Sequence, residues 1–284
     1  MADNDAGGGR AAVIGGGTMG AGIAQVLLEA GCEVVLVEAD GGAAERARAR
    51  IADGLGRRKD VAPGEVQRRL GRLQVVTDLD APLDVDLVVE AIPEIPDAKR
   101  DLLAAAEKVT PPEALLASNT SSLSITDLAG ALQRPERFLG MHFFNPVPLS
   151  ALVEIVVGQG TAPGAVDDAR RWVGRLGKES IEVRDSPGFA TSRLGVALGL
   201  EAIRMLEEGV ATAADIDQGM VLGYRHPMGP LRLTDLVGLD VRLAIAEHLA
   251  ATLDPRFEPP ALLRDKVAAG ELGKKSGRGF YDWS

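Results

Sequence analysis

Residues 11–20 read AAVIGGGTMG, an apolar run that stops at three glycines and passes straight into a helical pattern over residues 18–31. Few local patterns constrain a chain more. Gly15, Gly17 and Gly20 stand in G-x-G-x-x-G spacing, a weak signal alone because glycines also make ordinary turns. Here the spacing follows a strand and opens a helix, and a second apolar run, CEVVLVEAD, reaches Glu38 about twenty residues on. That combination is the dinucleotide fingerprint. Gly15 allows the tight turn, Gly17 lets the backbone approach a pyrophosphate, and Gly20 lets the helix pack close. Thr18 and Met19 open the helix, whose amides and partial positive charge suit phosphates. Glu38 can accept from both ribose hydroxyls and would repel a 2′-phosphate. The stretch VEADGGAA offers no arginine to offset that repulsion, so NAD is expected over NADP.

Further strands are expected at VDLVVEAI (85–92), ALLAS (114–118), RFLGMHFF, LVEIVV and SIEVRD. Helical stretches lie at about 95–109 and over APGAVDDARRWVGRLGK, and a long polar helical region broken near Pro63 follows the second strand. Strands alternating with helices predict an α/β fold with a doubly wound, mainly parallel sheet. After DSPGF the pattern changes. Ser186 and Pro187 read as a helix start, and only helical periodicity continues to about residue 269, broken at PMGP and DPRFEPP. The expected organisation is a nucleotide-binding domain over 1–186 and an all-α domain over 187–284.

Composition narrows the function classes. No run of about 18 apolar residues exists, so no membrane span is expected. The opening MADNDAGGGR lacks the basic flank and apolar centre of a signal peptide and reads as a short disordered tail. Cys32 is the only cysteine, which excludes an intrachain disulfide and a thiolate metal cluster and fits a reducing cytoplasm. A net charge of −10 argues against general nucleic-acid binding. Residues 41–72 depart from that balance. Nine basic side chains, among them Arg46, Arg50, Arg57, Arg58 and Lys59, face four acids, giving +5 in a chain that is −15 elsewhere. Such a run is either a solvated helix face or a dock for something anionic.

Two stretches carry chemistry. ASNTSSLSI leaves a strand end with a burst of short polar side chains. Ser122 or Ser124 could cap a helix, while Ser121, at the carboxyl rim where open α/β sheets bind ligands, is a candidate for contacting substrate or nicotinamide. MHFFNPVPLSALVE places His142 at the end of another strand and Glu154 in the apolar run that follows. An unpaired acid there would be costly to bury. Pairing with the imidazole resolves that cost, fixes the tautomer, and leaves the other ring nitrogen to take a hydroxyl proton. A hydride-accepting cofactor and a proton-accepting base are the equipment of alcohol oxidation. No metal site is expected.

With these residues in place, the chain resembles the 3-hydroxyacyl-CoA dehydrogenase family over nearly its whole length. The resemblance runs through GGGTMGAGIAQ, DLVVEAIPE, LLASNTSSLSIT, RPERFLGMHFFNPVP, LVEIV, EEGVATAADIDQGM, HPMGPLRLTDLVGLD and AGELGKKSGRGFYDW. It implies a Rossmann domain, a helical C-terminal domain that dimerises, and NAD-linked interconversion of 3-hydroxyacyl and 3-oxoacyl thioesters. It also implies that His142 is the base, Glu154 its partner and Ser121 a substrate contact, with Glu94, Lys99, Asn145 and Lys275 touching NAD. Departures are visible. Glu38 replaces the usual aspartate, and Ser192 stands where the family has an asparagine near the reacting oxygen. Ala151 replaces a lysine, and two CoA contacts, a serine and a lysine, fall at Gly54 and Val61. The leading expectation is a CoA thioester of the 3-hydroxybutyryl type held in part by Arg57, Arg58 and Lys59. The alternative is the same chemistry on an acyl-carrier-protein thioester, for example a hydroxyacyl or glyceryl unit. A non-catalytic NAD-binding protein and a dehydrogenase of free hydroxy acids are remoter readings.

Overall fold

The computed structural model describes residues 8–57, 62–79 and 81–284, and the N-terminal tail expected at residues 1–7 lies outside them. The chain divides into two compact units, Met1–Asp185 and Ser186–Ser284.

The first unit is an eight-stranded sheet. Its elements are β1 (Arg10–Ile14), α1 (Thr18–Glu29), β2 (Glu33–Val37), α2 (Gly41–Gly56), α3 (Pro63–Leu70), β3 (Leu73–Val76), β4 (Leu87–Glu90), α4 (Pro96–Val109), β5 (Leu115–Ser118), α5 (Ile125–Ala129), β6 (Phe138–Phe143), β7 (Leu152–Val157), α6 (Pro163–Arg175) and β8 (Glu179–Arg184). The strand order is β3-β2-β1-β4-β5-β6-β7-β8. Order reverses across β1 and β4, which makes the switch point where an α/β sheet opens a crevice. All neighbours run parallel except β6 and β7, which are antiparallel. Ala11, Val13, Leu36, Val89, Leu115 and Ile155 pack with Ile23, Leu27 and Ile51 of the helices into one core.

Two local expectations are corrected. Residues 73–76 were expected within a polar helical region, yet LQVV forms the edge strand β3. Four residues with only Leu73 fully buried carry too little alternation to stand out from the arginine-rich helix before them. Ser186 and Pro187 do not start a helix. Gly188 and Phe189 adopt φ of 72° and 49°, a turn that delays the helix to Thr191.

The second unit is helical: α7 (Thr191–Glu207), α8 (Ala213–Gln218), α9 (Pro230–Val237), α10 (Leu239–Thr252) and α11 (Ala261–Ala268). Val196, Leu200, Ile203, Leu231, Leu239, Ala246, Leu249 and Leu263 form its core. Asp235 ties the C-terminal segment down, accepting from the Phe280 and Tyr281 amides and from the Trp283 indole at 2.8–2.9 Å. No helix among the described residues is long and apolar enough to cross a membrane.

Candidate active site

The glycine loop takes the form its spacing implies. Gly15 has φ 93°, a left-handed conformation that side chains rarely adopt. A Cβ on Gly20 would stand 1.7 Å from the Gly15 carbonyl oxygen, so only glycine lets α1 pack here, whereas nothing lies within 4 Å of a Cβ on Gly17. Gly17 caps α1 without a side-chain hydrogen bond, leaving first-turn amides to whatever occupies that open side. These residues, Thr18, Met19 and Glu38 line a cleft of about 750 Å³ with an apolar wall of Ile92, Ala98 and Leu102. Space, donors and an acid at the end of β2 fit a dinucleotide.

Glu38 holds the loop as well as facing the cleft. Its Oε1 accepts from the Gly16 amide at 2.6 Å and its Oε2 from the Ala39 amide at 3.3 Å. The expectation that no arginine stands near it is corrected. Helix α2 turns Arg46 and Arg50 into the same cleft, and Arg50 donates to the Gly16 carbonyl at 2.8 Å. Helical periodicity, rather than the eight residues after Val37, decides which side chains return to the site.

The rim beyond β4 and β5 is a buried polar network. Glu90, fully buried at the end of β4, accepts from Lys99 Nζ at 2.6 Å, Ser118 Oγ at 2.5 Å and the Ile92 amide at 2.7 Å. Lys99 also reaches Glu94 at 3.3 Å. Glu94 in turn accepts from Thr120 Oγ1 at 3.0 Å and from the amide and hydroxyl of Ser121 at 2.7 and 3.2 Å. Three expected contacts, Glu94, Lys99 and Ser121, are thus one connected unit, and Lys99 is buried beneath it at 1% exposure. Glu90 was not singled out. An acid inside VDLVVEAI is the signal that could have found it, by the reasoning that flagged Glu154. Ser124, rather than Ser122, caps α5 through the Asp127 amide.

His142 and Glu154 face each other directly in the antiparallel register of β6 and β7, where opposed side chains stand closest. Nδ1 of His142 lies 2.6 Å from Glu154 Oε2. Both are buried, Glu154 completely, and the Phe144 ring packs 4.5 Å from the imidazole. Two groups hold the strand ends. Asn119 Oδ1 accepts from the Phe143 amide at 2.9 Å, and Lys178 donates to the carbonyls of Val147 and Ser150 at 2.7 and 2.5 Å across the bend that contains exposed Asn145. Burial lowers the Lys178 pKa below the ordinary lysine value.

The remaining expected residues divide. Ser192 is half-buried in the first turn of α7, and Lys275 pairs with Asp240 at 2.6 Å, both in the second unit. Arg57 is exposed at the end of α2, while Arg58, Lys59 and Val61 lie outside the described residues. Gly54 is no open contact position, because a Cβ there would meet Gln25 Oε1 at 2.1 Å. The basic run is also less available than its count suggests. Arg68 and Arg69 bind Glu65 at 2.8 and 3.0 Å, whose carboxyl they hold down at about 2, and Arg72 donates to the Leu28 carbonyl.

The chain matches the model of the 3-hydroxyacyl-CoA dehydrogenase NAD-binding domain over residues 10–186 and that of the same family's C-terminal domain over 188–283. A probable 3-hydroxybutyryl-CoA dehydrogenase of Bacillus subtilis is 43% identical over 277 residues, covering 95% of this chain and 96% of the relative. The 3-hydroxybutyryl-CoA dehydrogenase of Mycobacterium tuberculosis (strain CDC 1551 / Oshkosh) is 44% identical over 280 residues, covering 96% and 98%. Among solved structures, (S)-3-hydroxybutyryl-CoA dehydrogenase from Ralstonia eutropha superposes with a TM-score of 0.91 at 40% identity, covering 97% of this chain and 99% of that one.

Proposed function

The chain belongs to the NAD-dependent 3-hydroxyacyl-CoA dehydrogenase family, and from that premise we propose that it interconverts a short 3-hydroxyacyl thioester and its 3-oxoacyl thioester, with His142 as general base. The observation that carries this reading is the buried His142–Glu154 pair at 2.6 Å. Glu154 holds Nδ1 as a donor and stabilises the imidazolium, so the ring nitrogen away from it receives the 3-hydroxyl proton. NAD, when bound, supplies the hydride acceptor. Gly15, Gly17, Thr18, Met19 and Gly20 would hold its pyrophosphate and Glu38 its adenosine ribose. Glu94, kept in place by Lys99, and Asn145 would border the nicotinamide end. Ser121 positions the substrate oxygen, Ser192 does so from α7, and Lys275 closes on the cofactor. A panel of thioesters, each followed by NADH absorbance, tests the reading. Turnover of 3-hydroxybutyryl-CoA that is lost in His142→Ala supports it, and unchanged turnover in that variant refutes it.

A carrier-protein thioester is the second reading, favoured by Gly54. Its packing against Gln25 removes one hydroxyl that CoA-binding relatives offer, and Val61 removes a cation. The same acyl group presented on CoA and on an acyl carrier protein separates the two. The C-terminal unit also exposes Leu222, Tyr224, Leu233, Leu236, Val237 and Val241, and we place a homodimer contact there. Sedimentation at micromolar concentration checks it.

A further inference from the structure

Arg242 on α10 is 93% buried, since only 7% of its surface is exposed. Among the described residues its guanidinium makes no ion pair, and its Nε is buried without a hydrogen-bond partner. Burial pushes its pKa down to about 10, which still leaves it a cation at neutral pH. A buried cation without a counter-charge is strongly disfavoured. The sequence offers Asp240 nearby, but residues two apart on a helix do not face each other, and Asp240 gives its Oδ2 to Lys275.

The guanidinium lies against a bare stretch of α7. A Cβ on Gly195 would stand 3.0 Å from Nη1 and 3.5 Å from Nη2 of Arg242. One turn further, a Cβ on Gly199 would stand 3.0 Å from Thr234 Oγ1. That hydroxyl is also buried and unpartnered, in a side chain 1% exposed. Gly195 and Gly199 share a face of α7 with Ser192 by helical spacing, so the two polar groups meet the same face about 5.4 Å apart. Two buried donors over a strip without side chains form a pocket for acceptor oxygens rather than a packing contact.

We propose that this face of α7 binds an acyl group bearing an oxygen function beyond the thioester and the 3-hydroxyl, a carboxylate above all, with Arg242 and Thr234 as its recognition groups. The assignment of that function to the substrate rests on the proposed dehydrogenase reading and on the place it gives Ser192. It makes Arg242 a specificity determinant, which a 3-hydroxybutyryl group, ending in a methyl, would leave unmatched.

The test compares kcat/KM for 3-hydroxybutyryl-CoA and 3-hydroxyglutaryl-CoA in the wild type, Arg242→Leu, Arg242→Lys and Gly195→Ala. The wild type should favour the carboxylate substrate at least about tenfold, a preference that equals 1.4 kcal/mol. Arg242→Leu should abolish or invert it, Arg242→Lys should keep part of it, and Gly195→Ala should weaken it by displacing the guanidinium without removing charge. A second readout needs no turnover: glutarate should raise the Tm of the wild type and leave Arg242→Leu unmoved. If neither thioester is oxidised but the glutarate shift appears and depends on Arg242, the dehydrogenase reading fails and the anion site stands. If the wild type shows no preference and no shift, or if Arg242→Leu changes neither, the site is overturned. A lowered Tm in both Arg242 variants without any glutarate effect would make the arginine structural and equally overturn it.

Discussion

Lys99 and Arg242 are both buried cations, at 1% and 7% exposure, and the two units treat them in opposite ways. Lys99 sits within 3.3 Å of two carboxylates and donates to the Ile92 carbonyl. Arg242 has no ion pair among the described residues and faces glycines. A buried charge with its partners built in is part of the scaffold. It shapes Glu90 and Glu94, and through them Ser121, without needing a ligand. A buried charge left unmatched is costly to the free protein, and so marks a place where something else completes the site.

The largest expected effect lies at the fully matched pair. His142→Ala should lower kcat by about 10²–10⁴-fold, as for loss of a general base, and should leave cofactor affinity nearly unchanged, because the glycine loop holds NAD independently. Stopped-flow turnover and fluorescence titration of NADH would show it, and a variant retaining near-native kcat would end the acid–base assignment. Next comes Lys99→Met, which strands Glu90 as a buried unpaired carboxylate. A loss of about 3–5 kcal/mol is expected, measurable by urea unfolding. A loss below about 1 kcal/mol would erase the contrast drawn between the two cations. Arg242→Leu should go the other way, between no change and about 2 kcal/mol more stable, since it removes a charge with no partner. The smallest effect concerns the cofactor. Glu38→Ser should shift the kcat/KM ratio toward NADP by about tenfold, or 1.4 kcal/mol, because Arg46 and Arg50 already line the cleft. A ratio that does not move would place the ribose elsewhere.

Much of the nucleotide half was legible from local pattern. Gly15 and Gly20 serve backbone conformation and close packing, needs that reach only a few residues along the chain, so their spacing names their roles. Glu154 was legible because an acid in LVEIVV must find a partner, and His142 was the candidate twelve residues away. Glu90 obeys the same rule and was missed, since its partners, Lys99 and Ser118, lie beyond the strand and look like ordinary helix and strand-end residues. The edge strand β3 was missed because a four-residue, half-exposed strand is stabilised by pairing with β2 rather than by its own pattern.

The sequence by itself determined the order of strands and helices, the dinucleotide loop, the pairing of a histidine with an acid, and the family. These follow from periodicity, from φ requirements and from the cost of burying charge, all of which are written locally. Tertiary structure alone decided the antiparallel register that puts His142 opposite Glu154 rather than one residue off. It decided the return of Arg46 and Arg50 to the Glu38 cleft, the closure of Gly54 by Gln25, and the isolation of Arg242 over Gly195. Each of those depends on which surfaces of separate elements meet, and a side chain's partners across a contact are set by packing between elements that no single stretch of sequence contains.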